Sequence, residues 1–287
     1  MRRGSSLSRS QPVIGFSQQP SGGYGNWAFQ VNILYQIARL SGVPAAFPRY
    51  RERGFPAPRT KASALLDGSA RLLSKSSIES SSPQDVALEV AESVASGRSV
   101  CLEVGILGEP FNQYSAVDPI RLFSKPRELF AMASRAIKPR SGMHSSTAPI
   151  VVGLHYRGTD FSAWDPTAVM PLDYYLSAME EVQVGNPNRE LSFYGVTDEP
   201  ESFVVRELSK LGARFPRGRA SASRDFMILN RADVVIAPPS TFSFWSSILG
   251  GKTIYFPRIW VEKKSQSSNF WKDAGLNSVK YIDIRLA

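Results

Sequence analysis

Val151-Val152-Gly153-Leu154-His155-Tyr156-Arg157-Gly158-Thr159-Asp160-Phe161 is an apolar run that turns abruptly polar. Its first part, with Ile150, has the aliphatic continuity of a strand buried on both faces. Three chemistry-bearing side chains, His155, Arg157 and Asp160, follow where that strand ends. Downstream, helices and strands alternate. Leu172 to Val184 has helical spacing, Leu191 to Val196 reads as a strand and Glu201 to Leu211 as a helix. A short helix over Asp225 to Asn230, a strand over Asp233 to Ala237, a helix over Phe242 to Leu249 and a strand over Thr253 to Phe256 complete the series. Such alternation predicts βαβ units around a parallel sheet. Residues 145–287 therefore read as a Rossmann-like domain. In that architecture ligands bind beyond the carboxyl ends of the strands, which is where the polar cluster falls.

The N-terminal half is a looser α/β unit. Residues 1–12 read as a disordered tail and Val13 to Phe16 as a short strand. Gly22-Gly23-Tyr24-Gly25-Asn26 then opens a helix in which Trp27, Val31, Leu34 and Ile37 recur at helical spacing. The stretch from Pro44 to Pro58 carries four prolines, which excludes long regular structure. Ser82-Pro83-Gln84-Asp85 marks a helix start with proline in its first turn. Val100 to Leu107 predicts a strand and Pro126 to Ile137 a helix. The Pro139 to Thr147 segment is the expected boundary, giving an N-terminal domain over 13–140 and a C-terminal one over 145–287.

Composition narrows the function classes. The 287 residues are 43% hydrophobic and 21% charged, which excludes wholesale disorder. No stretch reaches the ~18 uninterrupted apolar residues of a membrane helix, and Met1 to Gln11 lacks the apolar core of a secretory signal. A single cysteine, Cys101, excludes an intramolecular disulfide and a Cys-clustered zinc site. With only His144 and His155 besides, any metal would have to be held by carboxylates. Lys and Arg number 34 against 25 Asp and Glu, a net +9. Nearly all of that excess lies in residues 1–61, where Arg2, Arg3, Arg9, Arg39, Arg49, Arg51, Arg53, Arg59 and Lys61 face Glu52 alone. The pattern suits an anionic partner or a solvated basic arm. Nucleic acid is the weaker choice, because these residues are interspersed with Pro and Gly and form no recognition motif.

Three segments carry candidate chemistry. In an extended chain His155 and Arg157 project to the same side. There a guanidinium fork and an imidazole donor suit phosphate oxygens. The Gly22–Asn26 run allows close backbone approach at a helix N-terminus, as an anion cradle or as a plain turn. From Ala232 a buried-type strand leads through Pro238-Pro239 into Ser240-Thr241. Those hydroxyls either cap the next helix or help hold a phosphate.

Taken together, the segments resemble the fucosyltransferase superfamily that joins the α1,2-, α1,6- and protein O-fucosyltransferases. His155-Tyr156-Arg157-Gly158-Thr159-Asp160 resembles its His-x-Arg-x-x-Asp motif. Gly22-Gly23-Tyr24-Gly25-Asn26-Trp27-Ala28-Phe29-Gln30 is similar to the Gly-Gly-x-Gly-Asn-Gln-x-Phe-Gln opening of the α1,2 family. Pro171-Leu172-Asp173-Tyr174-Tyr175, Phe193-Tyr194-Gly195-Val196-Thr197-Asp198 and Pro239-Ser240-Thr241-Phe242-Ser243-Phe244-Trp245 follow in that family's order. The resemblance runs from residue 13 to about residue 260, with 44–140 unmatched in detail. There are departures. Gly158 stands where α1,2 enzymes usually carry a second Arg, Trp27 where Gln is typical, and Pro239 in place of Asn. Thr197-Asp198-Glu199 replaces Ser-Asp-Asp. These bear on linkage and acceptor more than on donor.

The resemblance implies an α/β, GT-B-like fold of two facing Rossmann-like domains, the C-terminal one the more regular. It implies an inverting, metal-independent transfer of L-fucose from GDP-fucose to a hydroxyl of a glycan or glycoprotein acceptor, with α1,2 linkage first in line. No cofactor, metal or nucleic acid is expected, and the oligomeric state is open. Another nucleotide sugar on the same fold, or a non-catalytic nucleotide-sugar-binding relative, are the alternatives. By the same resemblance Arg157 stabilises the leaving diphosphate, and His155 holds it or orients Arg157. Gly23, Gly25 and Asn26 approach the phosphates, with Asn26 counted among the catalytic residues. Ser240, Thr241 and Phe242 bind phosphate and line the nucleotide pocket, and Asp225 accepts from the guanine edge. Asp165 is the expected general base, while Asp160 orients the motif loop. The expected location is the cytoplasm, including peripherally at a membrane, or the Golgi lumen if an anchor precedes Met1.

Overall fold

The computed structural model describes residues 11–16, 18, 20, 22–47, 50, 55, 57–58, 66, 70–79, 81–103, 123–124, 148–216, 221–250, 252–258 and 279–283. In the N-terminal half β1 (Ile14–Phe16) leads into α1 (Tyr24–Ser41). It is followed by β2 (Ala57–Pro58), β3 (Arg71–Leu73), α2 (Lys75–Glu79), α3 (Pro83–Ala95), β4 (Val100–Leu102) and β5 (Phe123–Ser124). β1, β4 and β3 form a parallel sheet in that order, and β2 pairs antiparallel with β5. The helix start read at Ser82 forms as a reciprocal cap, with Ser82 and Asp85 each accepting from the other's backbone and Pro83 in the first turn. Val86 and Val90 are buried on this helix, which packs on α1.

The C-terminal half runs β6 (Ile150–Tyr156), α4 (Thr159–Trp164), a 3-10 turn (Pro166–Ala168), α5 (Leu172–Val184), β7 (Leu191–Thr197) and α6 (Phe203–Lys210). It continues through α7 (Ala222–Arg231), β8 (Val234–Ile236), α8 (Thr241–Gly250), β9 (Thr253–Pro257) and β10 (Val279–Ile282). All five strands are parallel, in the order β10-β9-β8-β6-β7. β6 thus has its sequence successor β7 on one side and β8 on the other. The chain must leave the sheet in opposite directions at this point, which opens a crevice at the carboxyl ends of β6 and β8. The sheet is covered on both faces, as parallel sheets require. Tyr174, Tyr175, Val182, Val205 and Leu208 of α5 and α6 fill one side. Phe226, Leu229, Phe244 and Trp245 of α7 and α8 fill the other.

The second of these clusters does not stop at the C-terminal half. It continues into Trp27, Phe29, Ile33 and Ile37 of α1 and into Ile14 and Leu102 of the smaller sheet. The Phe29 ring stacks on Phe244 at 5.1 Å and meets Trp245 edge-on at 5.2 Å. This close approach of α1 to α8 depends on Gly25. A Cβ there would lie 2.5 Å from the backbone carbon of Thr241 and 2.6 Å from the Phe242 nitrogen, so only glycine fits. One residue on, Asn26 Oδ1 accepts from the Thr241 hydroxyl at 2.7 Å.

Several elements differ from the sequence reading. β6 is two residues longer than its apolar run, because pairing with β7 continues through His155–Val196 and Tyr156–Thr197. β4 stops at Leu102, short of the expected Leu107. α6 runs Phe203–Lys210, with Ser202 as its cap, rather than from Glu201. α7 begins at Ala222, three residues before the expected start, because Ser221 caps it. β3, α4 and β10 were not anticipated; each is short, β3 and β10 are held by strand pairing, and the start of α4 is tied to Asp198. The expected helix over 126–137, the boundary at 139–147 and most of the tail over 1–12 lie outside the described residues. No described helix is long and apolar enough to cross a membrane.

Gly25→Ala is expected to destabilise the protein by about 1–3 kcal/mol through overpacking against α8. Gly23→Ala, where nothing lies within 4 Å of the added Cβ, is expected to stay within about 0.5 kcal/mol of the parent. Urea unfolding of both variants measures the difference, and equal stabilities would show that α1 does not need the close approach.

Candidate active site

The strand ends at the crevice are held by tyrosines from α5. A carbonyl at the end of a parallel strand has no ladder partner and, when buried, needs another donor. Tyr175 Oη donates to the His155 carbonyl at 2.7 Å. Tyr174 Oη donates to the carbonyls of Ala237 and Tyr255 at 2.6 and 2.9 Å. The adjacent tyrosines thereby tie α5 to backbone carbonyls of β6 and β9 and of Ala237 just past β8.

Arg157 follows immediately after β6. Its Nε and Nη2 donate to the two carboxylate oxygens of Asp160 at 2.7 and 2.5 Å, a two-pronged pair that occupies one edge of the guanidinium. The same group lies 5.0 Å from the Phe161 ring centre, a cation–π contact that fixes its plane. The hydrogen bond from Arg157 holds the Asp160 carboxyl below its ordinary range. Asp160 was expected to orient the loop, and Asp198, just past β7, also holds it. Asp198 Oδ1 accepts from the Gly158 N–H at 3.1 Å and Oδ2 from the Thr159 hydroxyl at 2.6 Å. Asp160 acts on Arg157 directly.

His155 is buried, and its Nδ1 is hydrogen-bonded to the Ser243 hydroxyl of α8. Burial, reinforced by the charge of Arg157 and opposed by Asp160, lowers its pKa from 6.5 to about 3. It is therefore a neutral imidazole at physiological pH, and it contributes hydrogen bonding rather than charge.

A cavity of about 400 Å³ opens at this point. Its polar wall comprises His155, Arg157, Thr197, Asp198 and Asp225. Its apolar wall comprises Tyr24, Tyr50, Phe55 and Phe242 with Val196, and Gly23 and Ala222 complete the lining. The Tyr24 and Phe55 rings stack at 4.3 Å, Phe226 meets Tyr24 and Phe242 edge-on, and Phe242 lies 5.6 Å from the His155 ring. Pairs of this kind each add about 0.5–1.5 kcal/mol beyond area burial, so the wall is rigid. Desolvation raises the Asp225 carboxyl above its ordinary range, while neighbouring Arg224 opposes the rise.

α1 presents its N-terminus to the same cavity through Gly23 and Tyr24. Its cap residue, Gly23, makes no side-chain cap hydrogen bond, and its first turn holds no acidic residue. An 18-residue helix with such a start offers oriented N–H groups and the positive end of its dipole to an anion. Arg157 and this helix end supply the positive potential. Among the described residues no group of His, Cys, Asp or Glu is arranged to hold a metal ion.

Of the residues singled out from sequence, Gly23, His155, Arg157, Asp225 and Phe242 line the cavity. The others have different tasks. Gly25 and Asn26 dock α1 on α8, and the Thr241 hydroxyl is engaged with Asn26. Ser240 Oγ accepts from the Phe242 N–H at 3.2 Å, so it caps α8. Asp165 caps the 3-10 turn, accepting from the N–H and hydroxyl of Thr167 at 3.1 and 2.7 Å, and it is not among the lining residues. Sequence reasoning missed Ser243, Asp198 and the aromatic wall. Asp198 was visible as the last residue of the Phe193–Asp198 segment, whereas Tyr24, Tyr50 and Phe55 share no spacing with Phe242.

No protein-family model matches the chain, and no curated protein does. Solved structures of fucosyltransferases do. NodZ α1,6-fucosyltransferase in a crystal soaked with GDP-fucose aligns with a TM-score of 0.53 at 14% identity, covering 83% of this chain and 92% of its own. NodZ from Bradyrhizobium aligns at 0.53 and 15% identity over 84% and 94%. POFUT1 in complex with GDP-fucose aligns at 0.58 and 10% identity over 85% and 95%. At these identities the likeness is one of fold. The chain has the mixed α/β, GT-B-like architecture of these fucosyltransferases.

A histidine whose folded pKa, about 3, lies below its unfolded 6.5 contributes stability that is complete above pH 6.5 and lost as pH falls toward 3. Within that window the contribution falls by up to about 1.4 kcal/mol per pH unit. His155→Gln is expected to flatten the stability profile between pH 6.5 and 4.5 relative to the parent. NMR titration of folded protein is expected to show an unprotonated His155 at pH 5, and a midpoint near 6.5 would contradict the neutral imidazole.

Proposed function

We propose that this chain transfers L-fucose from GDP-fucose to a hydroxyl of a glycan or glycoprotein, with inversion and without a metal ion. The observation that carries the reading is Arg157. It lies at the carboxyl end of β6 beside a cavity that Gly23 and Tyr24 at the start of α1 also line. The fold shared with fucosyltransferases crystallised with GDP-fucose supports the choice of donor. A volume of about 400 Å³ suits a small-molecule ligand. The aromatic wall suits a purine, and Asp225, lining the same cavity, suits the donor edge of guanine. The diphosphate falls to Arg157, His155 and the start of α1.

In the displacement the acceptor oxygen forms a bond to the fucose anomeric carbon as the bond from that carbon to the β-phosphate oxygen breaks. GDP leaves carrying the negative charge, and the acceptor hydroxyl gives up its proton to solvent. Fixed donors aimed at the departing oxygens stabilise this charge without reorganising. Asp160 and Phe161 hold one edge and the plane of Arg157, which directs its remaining N–H groups to a ligand. An α1,2 linkage is our proposal on the strength of the Gly22–Gln30 opening. We assign Asp165 to capping rather than to proton transfer, because its carboxylate serves Thr167.

Binding of GDP or GDP-fucose at about 100 times its dissociation constant is expected to stabilise the protein by roughly 2.7 kcal/mol. A thermal shift with a UDP- or TDP-sugar and none with GDP ligands would move the donor to another nucleotide. Arg157→Ala is expected to lower turnover about 100- to 1000-fold with little change in melting temperature. Arg157→Lys is expected to restore only part of the loss, since an ammonium lacks the planar fork. Transfer should persist in EDTA; a strict requirement for added divalent ion would reject the metal-free reading. Asp165→Asn keeps the cap and is expected to leave turnover within a few-fold of the parent, while a hundredfold loss would return the base role to Asp165.

A further inference from the structure

We propose that Ser243 is a positioning residue that fixes His155 as the neutral Nε2–H tautomer, so that the imidazole serves as a hydrogen-bond donor to a phosphate oxygen. The ligand half of this inference rests on the function proposed above; the tautomer half does not. Ser243 is fully buried in the first turn of α8, and among the described residues its hydroxyl has one partner, His155 Nδ1. The neighbouring hydroxyls of Ser246 and Ser247 both donate to the Ser243 carbonyl at 2.8 Å, so they are engaged elsewhere.

Two proton arrangements satisfy the contact on paper, and burial separates them. If Nδ1 carried the proton and donated to Ser243 Oγ, the serine hydrogen would be sealed in the core without an acceptor. Leaving a buried donor unmade is the expensive case for a polar group. If Ser243 donates to Nδ1 instead, its hydrogen is satisfied and the ring proton moves to Nε2. That nitrogen is not among the sealed, unpaired side-chain atoms, and it is the polar atom His155 has left for the cavity it lines. The alternative would aim a bare lone pair at any anion held by Arg157 and repel it. The Tyr175 hydrogen bond to the His155 carbonyl fixes the backbone from the opposite face of the sheet, so the ring has little freedom to turn away. A ring proton that serves as a donor also takes His155 out of consideration as the base for the acceptor hydroxyl.

The chain holds only two histidines, so ¹⁵N labelling and a His144→Gln background assign the His155 ring unambiguously. In ligand-free parent protein at pH 7, long-range ¹H–¹⁵N spectra are expected to show a protonated Nε2 and an unprotonated Nδ1. In Ser243→Ala the single tautomer should give way to averaged or exchanged nitrogen shifts, and the dissociation constant for GDP should rise roughly 3- to 10-fold. A parent protein with the proton on Nδ1 would overturn the proposal, as would a Ser243→Ala protein with unchanged ring shifts. If Ser243→Ala does not fold, the parent spectrum alone decides. Failure of the parent to bind GDP would overturn the nucleotide reading while leaving the tautomer result standing.

Discussion

The cavity exists because β6 is paired in parallel with β7 on one side and β8 on the other. Parallel strands cannot be joined by tight turns, so each connection crosses the sheet through a helix. When successive crossovers from one central strand go to opposite sides, the loops above that strand diverge and leave a crevice. His155, Arg157 and Asp198 sit at that crevice because the β6–β7 register aligns Tyr156 with Thr197 and brings the two strand ends level. A shift of register by one residue would turn His155 to the other face of the sheet and separate Asp198 from the Gly158 N–H.

The other half of the chain reaches this crevice through the start of α1 and through Tyr50 and Phe55. α1 packs on α8 at a distance that admits no Cβ at residue 25, and the Asn26–Thr241 hydrogen bond sets its rotation. The consequence is functional as well as structural. It is the start of α1, carrying Gly23 and Tyr24, that comes to rest at the cavity. α3 and α7, by contrast, have serine caps that satisfy their first-turn donors internally. Packing between the halves thus places the start of α1 at the cavity through a single close approach.

Charge at the site is directed rather than abundant. Arg157 faces Asp160 and Asp198, and the buried imidazole is neutral. An anion is therefore met by a few oriented donors, namely one guanidinium edge, a helix start and an imidazole N–H. Such donors discriminate by geometry. The +9 net charge of the whole chain, concentrated in residues 1–61, is a separate matter and acts at longer range.

The sequence alone determined that residues from Ile150 onward make a parallel sheet, since apolar strands and amphipathic helices alternate there at the right lengths. It also marked the Ser82 cap and the placing of Arg157 beyond a buried strand, because each of these depends on neighbours within a few residues. The rest was a question of which groups meet across the fold. A glycine at 25 signals close backbone approach but not to what, and the partner turned out to be α8. That the hydroxyls at 240 and 241 meet the Phe242 N–H and a distant asparagine was decided by tertiary packing. Nor does spacing reveal that Asp198 joins Asp160 in securing the motif loop, or that Ser243 meets His155 from 88 residues away. Those pairings follow from strand register and helix docking. Both are set by the burial of whole faces, a property of the assembled layers that no short stretch of chain contains.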